Sequence, residues 1–401
     1  MLDIKFIRDN PDVVKQDAAK KGATIDTAKI LDLDKKHREL QTKVQELQAK
    51  RNVTAKERNI EEGKKIKVEL DSLEKELKDI KAQLDFQLLT IPNLPHPEVP
   101  VGGEADYEVI KTVGKPRVFS FKPKDHLELG ENLDIIDVTR AAKVSGTRFA
   151  YLKNEGAILE LALVQYAFQR LFKEGFTPII PPTLIKQEIT VGLGYWQGKI
   201  DEEHTANENY YLVSDPEENE KGLYLIGTAE HSIVPMHKDE TFSARELPKR
   251  YVGFSPAYRR EAGTYGKDTR GILRMHQFEK VEMVSFVRQE EDEAEMGELT
   301  AIAESFMDDL GLPYRLIRLA TSDISFPASE TRDIETWMPA QNKYRETHSI
   351  STTGTFQSRR LNIKYQDRPE KKYVSILNGT AFAIGRTIVS ILENFQQEDG
   401  S

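Results

Sequence analysis

A chain of 401 residues is long enough to bury a sizeable core and to divide into two domains. It contains no cysteine, which excludes disulfides, thiol nucleophiles and Cys-ligated zinc and fits a reducing cytoplasm. The net charge of −9 argues against broad nonspecific binding of nucleic acid, and no apolar run of about 18 residues exists to span a membrane.

The opening "MLDIKFIRDNPD" lacks the apolar stretch of a secretion signal. Residues 27–90 then change character. Ile66, Leu70, Leu73, Leu77, Ile80 and Leu84 recur at alternating intervals of four and three, a heptad seam with charged residues between. Leu33, Leu40, Val44 and Leu47 give a weaker version of the seam, and Gly63 reads as the break between the halves. The spacing predicts two helices of roughly 30 residues folded into an antiparallel coiled coil about 45 Å long. Residues 27–90 hold 15 Lys/Arg against 13 Asp/Glu, net +2, so the rest of the chain carries −11. Lys50, Arg51, Lys56, Arg58, Lys64 and Lys65 gather near the turn. They are either ordinary solvated charge or a tip that meets phosphates.

"IPNLPHPEVPVGG" has four prolines and two glycines and reads as a linker, dividing the chain into residues 1–100 and 101–401. Beyond it, "GAILELALVQYAFQRLF" is apolar almost all round and predicts a buried helix, a candidate for a subunit interface. "GLGYWQG", at 192–198, reads as a loop. No GxxxxGK[ST], GxSxG or HExxH occurs, so no Walker cradle, serine-hydrolase elbow or zinc helix is expected. "LYLIGTAE", "RYVGFSPAYRRE", "GILRMHQFEKVEMVSFV" and "KYVSILNG" read as strands.

Between two of these strands lies "YRREAGTYGKDTRGILRMHQFEKVE", dense in charge. Residues 264–269 suit the tip of a long hairpin loop. Arg259 and Glu261, two apart, are expected to point to one face, with Glu282 on the returning strand. An arginine fork suits phosphate and carboxylates suit an amino group. Phe278 is either a base-stacking platform or a core aromatic. Near the end, Asn378-Gly379 reads as a turn, followed by an amphipathic helix with Arg386 near its start, where anions are favoured.

Taken together, "MLDIKFIRDNP", the coiled-coil arm, "GFTPIIPPTLI", "LIGTAE", "YRREAG", "RMHQFEKVE", "FQSRRLNIKY" and "LNGTAFAIGRT" resemble, in order and over essentially the whole chain, a seryl-tRNA synthetase of the bacterial type. The resemblance implies an α+β fold, a class II antiparallel sheet flanked by helices and preceded by a tRNA-binding arm. It implies a cytoplasmic homodimer, with Pro182 at the interface, that uses ATP and Mg²⁺ to join L-serine to tRNA(Ser); tRNA(Sec) is a second candidate acceptor. Arg259 resembles the arginine holding the α-phosphate and the serine carboxylate. Glu261 corresponds to the residue that meets the adenine amino group, and Phe278 and Arg386 to those that stack on the adenine faces, Arg386 also holding the γ-phosphate. Thr228, Ala229, Glu230, Glu282, Asn378 and Thr380 match serine-binding positions. Arg260, Met275, His276, Gln277, Glu346, Thr347, His348 and Ser349 fall in the ATP-binding segments, with Glu346 and Ser349 at the metal. The chain departs from the family at "ETHSISTTG", residues 346–354, where His348 replaces a serine and Ile350 a cysteine. It also stops at "QQEDGS", short of the family's usual tail. Two other readings remain: a noncatalytic interaction protein on the same fold, and an enzyme that loads an amino acid onto a carrier protein, a class that lacks the long arm.

Overall fold

The computed structural model describes residues 1–195, 209–215, 219–261 and 270–401. The chain divides into two compact units, Met1–Leu94 and Pro95–Ser401. The hairpin tip expected at residues 264–269, and residues 196–198 of the glycine-rich stretch, lie outside the described residues.

The first unit is helical: α1 (Ile4–Asp9), α2 (Pro11–Lys20), α3 (Thr27–Lys56) and α4 (Ile60–Leu89). Ile7, Val14, Ala18, Ile30, Leu33, Leu84 and Leu88 form its core, and buried Asp34 ties α1 to α3 through Arg8 at 3.2 Å. Farther along the arm Val44, Ile66 and Leu70 form a second buried cluster, with Leu47, Leu73 and Leu77 packed against them, as the heptad spacing requires. The break falls at residues 57–59 and not at Gly63, which lies inside α4. Asn59 stops the chain there because its side chain accepts a hydrogen bond from the Glu62 N–H, capping α4, while Arg58 takes a positive φ of 54°.

The second unit is built on an eight-stranded sheet of β1 (Glu108–Val113), β2 (Thr177–Ile179), β3 (Lys249–Tyr258), β4 (Gln277–Val287), β5 (Tyr314–Arg318), β6 (Glu330–Met338), β7 (Lys343–Gly354) and β8 (Ser375–Ala383). The order is β1-β5-β6-β7-β8-β4-β3-β2, antiparallel except where β2 pairs with β3. Helices α5 (Asn154–Lys173), α6 (Glu230–Ile233), α7 (Asp292–Asp309), α8 (Phe356–Leu361) and α9 (Ile384–Phe395) flank it. Leu163, Leu171, Leu299, Phe306 and Ile388 pack with Val281, Met283, Ile334 and Phe382 in the main core. On β4 the alternate residues Val284 and Phe286 join a second cluster.

Three expectations change. α5 is not buried all round: Leu163, Ala167 and Leu171 face the core at four-residue spacing, while Ile158, Leu161 and Phe172 are exposed. Asn378-Gly379 is no turn but the middle of β8, where a Cβ on Gly379 would stand 3.3 Å from Met283 and 3.4 Å from Ile350; glycine serves close packing there. Gly192 and Leu193 are the last residues of a helix, Gln187–Leu193, closed by Gly194 in the left-handed conformation.

Candidate active site

The central strands and the segments leading from them enclose a cavity of about 500 Å³ within the second unit. Phe278, Lys280 and Glu282 rise into it from one face of β4, and Asn378 and Thr380 from β8. Glu346 and Ser349 are three residues apart, a spacing that puts side chains on opposite faces of a regular strand. They share the cavity because the register shifts between β6 and β7: Glu346 pairs with Glu335 and His348 with Ile334, leaving Thr347 as the extra residue of a bulge.

β3 ends at Tyr258, so the alternation argued for Arg259 and Glu261 does not apply. Both still line the cavity, Glu261 through a positive φ of 50° and an ion pair with Arg274. The Arg259 N–H donates to the His276 carbonyl at 2.9 Å, its Nε donates to the Gly227 carbonyl at 3.2 Å, and its guanidinium lies 5.3 Å from the centre of the Phe278 ring. Arg386, in the first turn of α9, pairs with the Glu346 carboxylate at 3.0 Å and donates to the Glu346 and Leu273 carbonyls. Buried His126 holds the segment carrying Leu273. Its Nε2 accepts from the Ile272 N–H, which leaves Nδ1–H to donate to Glu393.

At the other end of the cavity, Glu230 accepts from Gln357 Nε2 at 2.8 Å and from the Tyr195 hydroxyl at 3.0 Å. Burial pushes its carboxyl up to about 7, with the Glu282 charge adding to the effect and the Gln357 and Tyr195 hydrogen bonds and the Lys280 charge opposing it. Burial, with the charges of Arg259 and Lys280, pulls the neighbouring His231 down to about 3, so its ring is neutral. Its Nδ1 accepts from the Gly227 N–H, which places the proton on Nε2. Lys280 pairs with Glu282 at 2.5 Å.

Of the residues singled out in the sequence, Thr228, Glu230, Arg259, Glu261, Met275, Phe278, Glu282, Glu346, Thr347, Ser349, Asn378, Thr380 and Arg386 line this one cavity. The side chains of Ala229, Arg260, His276, Gln277 and His348 do not. Ala229 is fully buried, Arg260 is exposed, His276 meets the Arg259 carbonyl, and Gln277 donates to Glu279. His348 faces the core opposite Ile334, with Nε2 on the Ala381 carbonyl and Nδ1 on Thr347. The sequence reading missed Tyr195, Tyr210, His231, Lys280, Arg274 and Asp333, which also line the cavity. Lys280 was accessible by alternation with Phe278 and Glu282. Asp333 was not, because only the bulged pairing sets it opposite Ser349. In the first unit, Lys50, Arg51, Lys56, Arg58, Lys64 and Lys65 are all exposed around the arm's turn.

The protein-family model described as "Seryl-tRNA synthetase N-terminal domain" matches residues 1–95, and "tRNA synthetase class II core domain (G, H, P, S and T)" matches residues 211–395. A serine--tRNA ligase of Thermodesulfovibrio yellowstonii is 40% identical over 419 residues, covering 100% of this chain and 96% of that protein. The crystal structure of seryl-tRNA synthetase from Pyrococcus horikoshii complexed with ATP superposes with a TM-score of 0.89 at 39% identity, covering 100% of this chain and 95% of its own. The cytoplasmic serine-tRNA ligase of Naegleria fowleri in complex with AMP gives a TM-score of 0.87 at 30% identity over 99% and 94% of the two chains.

Proposed function

This chain belongs to the seryl-tRNA synthetase family, and from that membership we propose that it activates L-serine with ATP and passes the serine to the 3′-terminal adenosine of a serine tRNA, as a homodimer in the cytoplasm. The observation that carries the chemistry is the single cavity with an arginine-flanked aromatic ring at one end and buried carboxylates at the other. A base stacks on Phe278, with Arg386 available for its other face and for the outer phosphates. Arg259 holds the α-phosphate and the serine carboxylate, and Glu261 accepts from the adenine amino group. Glu230 and Thr228 meet the serine ammonium, while Glu282, Asn378 and Thr380 supply polar groups for the hydroxyl.

No protein nucleophile is needed. The serine carboxylate attacks the α-phosphorus, pyrophosphate leaves, and the tRNA hydroxyl then takes the acyl group, so the protein contributes positioning and charge. Glu346 and Ser349 fit Mg²⁺, which binds through one or two carboxylates and keeps waters and phosphates for its other positions. When bound, the ion neutralises phosphate charge. Among the described residues no cluster of three or more His, Cys, Asp or Glu is arranged to hold a metal by itself, consistent with an ion that arrives with the nucleotide. In the first unit, the exposed basic residues at the arm's turn suit the backbone of a tRNA rather than its bases.

Pyrophosphate exchange tests the reading. Exchange should depend on serine, and alanine should be poorer by about 10⁴-fold, because a site built to bond a hydroxyl leaves buried polar groups unpaired without it. Equal exchange with both amino acids would refute the assignment.

A further inference from the structure

Lys280 stands in the middle of the cavity without a task in the scheme above. β4 pairs regularly with β3 here, Phe278 with Ala257, Lys280 with Ser255 and Glu282 with Gly253, so the three cavity side chains rise from the strand at intervals of ~7 Å. Lys280 is 7% exposed, and its ammonium has, among the described residues, one ion-pair partner, Glu282 Oε2 at 2.5 Å. An ammonium has three donors. A buried charge pair stabilises a fold poorly compared with apolar residues of the same size, so one that lines a cavity calls for a use. Its place on the strand supplies one. With a base at Phe278 and an amino acid at Glu282, the group between them is the acyl phosphate that the reaction builds.

Resting on that reading of the site, we propose that Lys280 is a catalytic residue whose ammonium leaves Glu282 when serine occupies it and bonds a non-bridging oxygen of the α-phosphate in the transition state. Arg259 borders the same space, so two cations face the reacting phosphorus. The bond formed joins a serine carboxylate oxygen to the α-phosphorus. The bond broken joins that phosphorus to the oxygen bridging towards the β-phosphate, and pyrophosphate departs with the electron pair. Lys280 keeps its proton throughout and acts by charge alone. The competing role, holding Glu282 in place, makes a different forecast, since loss of the lysine would then disturb recognition of serine and not turnover.

The test uses the full-length protein with Lys280→Met, Lys280→Gln and Lys280→Arg. Wild-type exchange with serine is measured first; its absence would remove the function assigned above rather than this proposal. Lys280→Met and Lys280→Gln should lower the kcat of exchange by about 10²-fold, the usual cost of one preorganised charge donor. The preference for serine over alanine should stay within a few-fold, and Lys280→Arg should recover part of the rate. Unchanged kcat at saturating serine, with a raised KM for serine and eroded discrimination, would overturn the proposal.

Discussion

Glu230 makes a site cost stability. Its carboxyl is ordinary in the unfolded chain and is raised to about 7 in the native one, mainly by burial. The native state is therefore penalised as pH climbs from the ordinary carboxylate range to about 7, and the penalty is complete above that. Glu230→Gln should stabilise the protein at pH 8 by on the order of 1–3 kcal/mol, with no gain at pH 4; thermal melts at the two pH values check it. The same substitution should abolish tight serine binding. In the wild type the KM for serine should rise up to about tenfold per pH unit below 7, as the carboxylate that meets the ammonium takes a proton, and this dependence should be missing in the variant. Arg259→Ala should cut the exchange rate by about 10²–10³-fold or more with the fold retained, since among the described residues the side chain's structural bonds are to the Gly227 carbonyl and a ring contact. An unfolded variant, or an unchanged rate, would count against its proposed role. Part of this constellation was legible in the sequence: Arg259, Glu261 and Glu282 marked a place that handles charge, Phe278 stayed open between a stacking platform and a core aromatic, and the ligand roles came from the family resemblance. The second layer was not. Tyr195 and Gln357, which fix Glu230, are brought to it only by the fold, across 35 and 127 residues of sequence.

Among the elements, the arm was the most readable, because a heptad seam needs no knowledge of the rest of the chain. Its turn was misplaced by reading Gly63 as a breaker when the Asn59 cap stops the helix. β8 was misread for a related reason: Asn-Gly signals a turn locally, but close packing against Met283 and Ile350 decides the outcome. The first unit packs its own core around α1, α2 and the base of the arm, and none of the cavity residues lies in it. Replacing most of α3 and α4 by a short Gly-Ser linker should accordingly leave seryl-adenylate formation within a few-fold while tRNA charging collapses. Reversing charge at Lys50, Arg51, Lys56, Lys64 and Lys65 should give a milder loss, flattening the log–log salt dependence of tRNA binding by about 0.7–0.9 per lost phosphate contact. Normal charging without the arm would assign it another purpose.

For the molecule as a whole, the unsettled surface is the outer side of α5. Ile158, Leu161 and Phe172 are 60–66% exposed, and Ile180, just past β2, is 73% exposed. Burying such side chains against a second copy is worth ~1.5–3 kcal/mol each, which is why we assign the seam of the homodimer proposed above to this face. Leu161→Asp combined with Phe172→Asp should yield monomers by light scattering, with little change in the melting of the monomer itself because neither side chain is in the core. A persistent dimer would place the seam elsewhere. The sequence marked this helix as apolar but not which side stays uncovered, since that depends on where the sheet lies.

Three of the cavity's cations are already engaged, Arg386 with Glu346, Arg274 with Glu261 and Lys280 with Glu282, while Arg259 meets no carboxylate among the described residues. A guest that brings only negative charge can meet Arg259 at no such cost, but to engage any of the other three it must strand a carboxylate, and the cost of that is subtracted from whatever it gains. Sulfate or free phosphate is such a guest. Serine carries an ammonium and a hydroxyl, and a metal–nucleotide complex carries its own cation, so together they bring donors and positive charge as well as negative charge into the site. Beyond Arg259, the site thus weighs its visitors by charge composition before shape is consulted, and favours a pair of substrates that arrive with both signs over a simple anion.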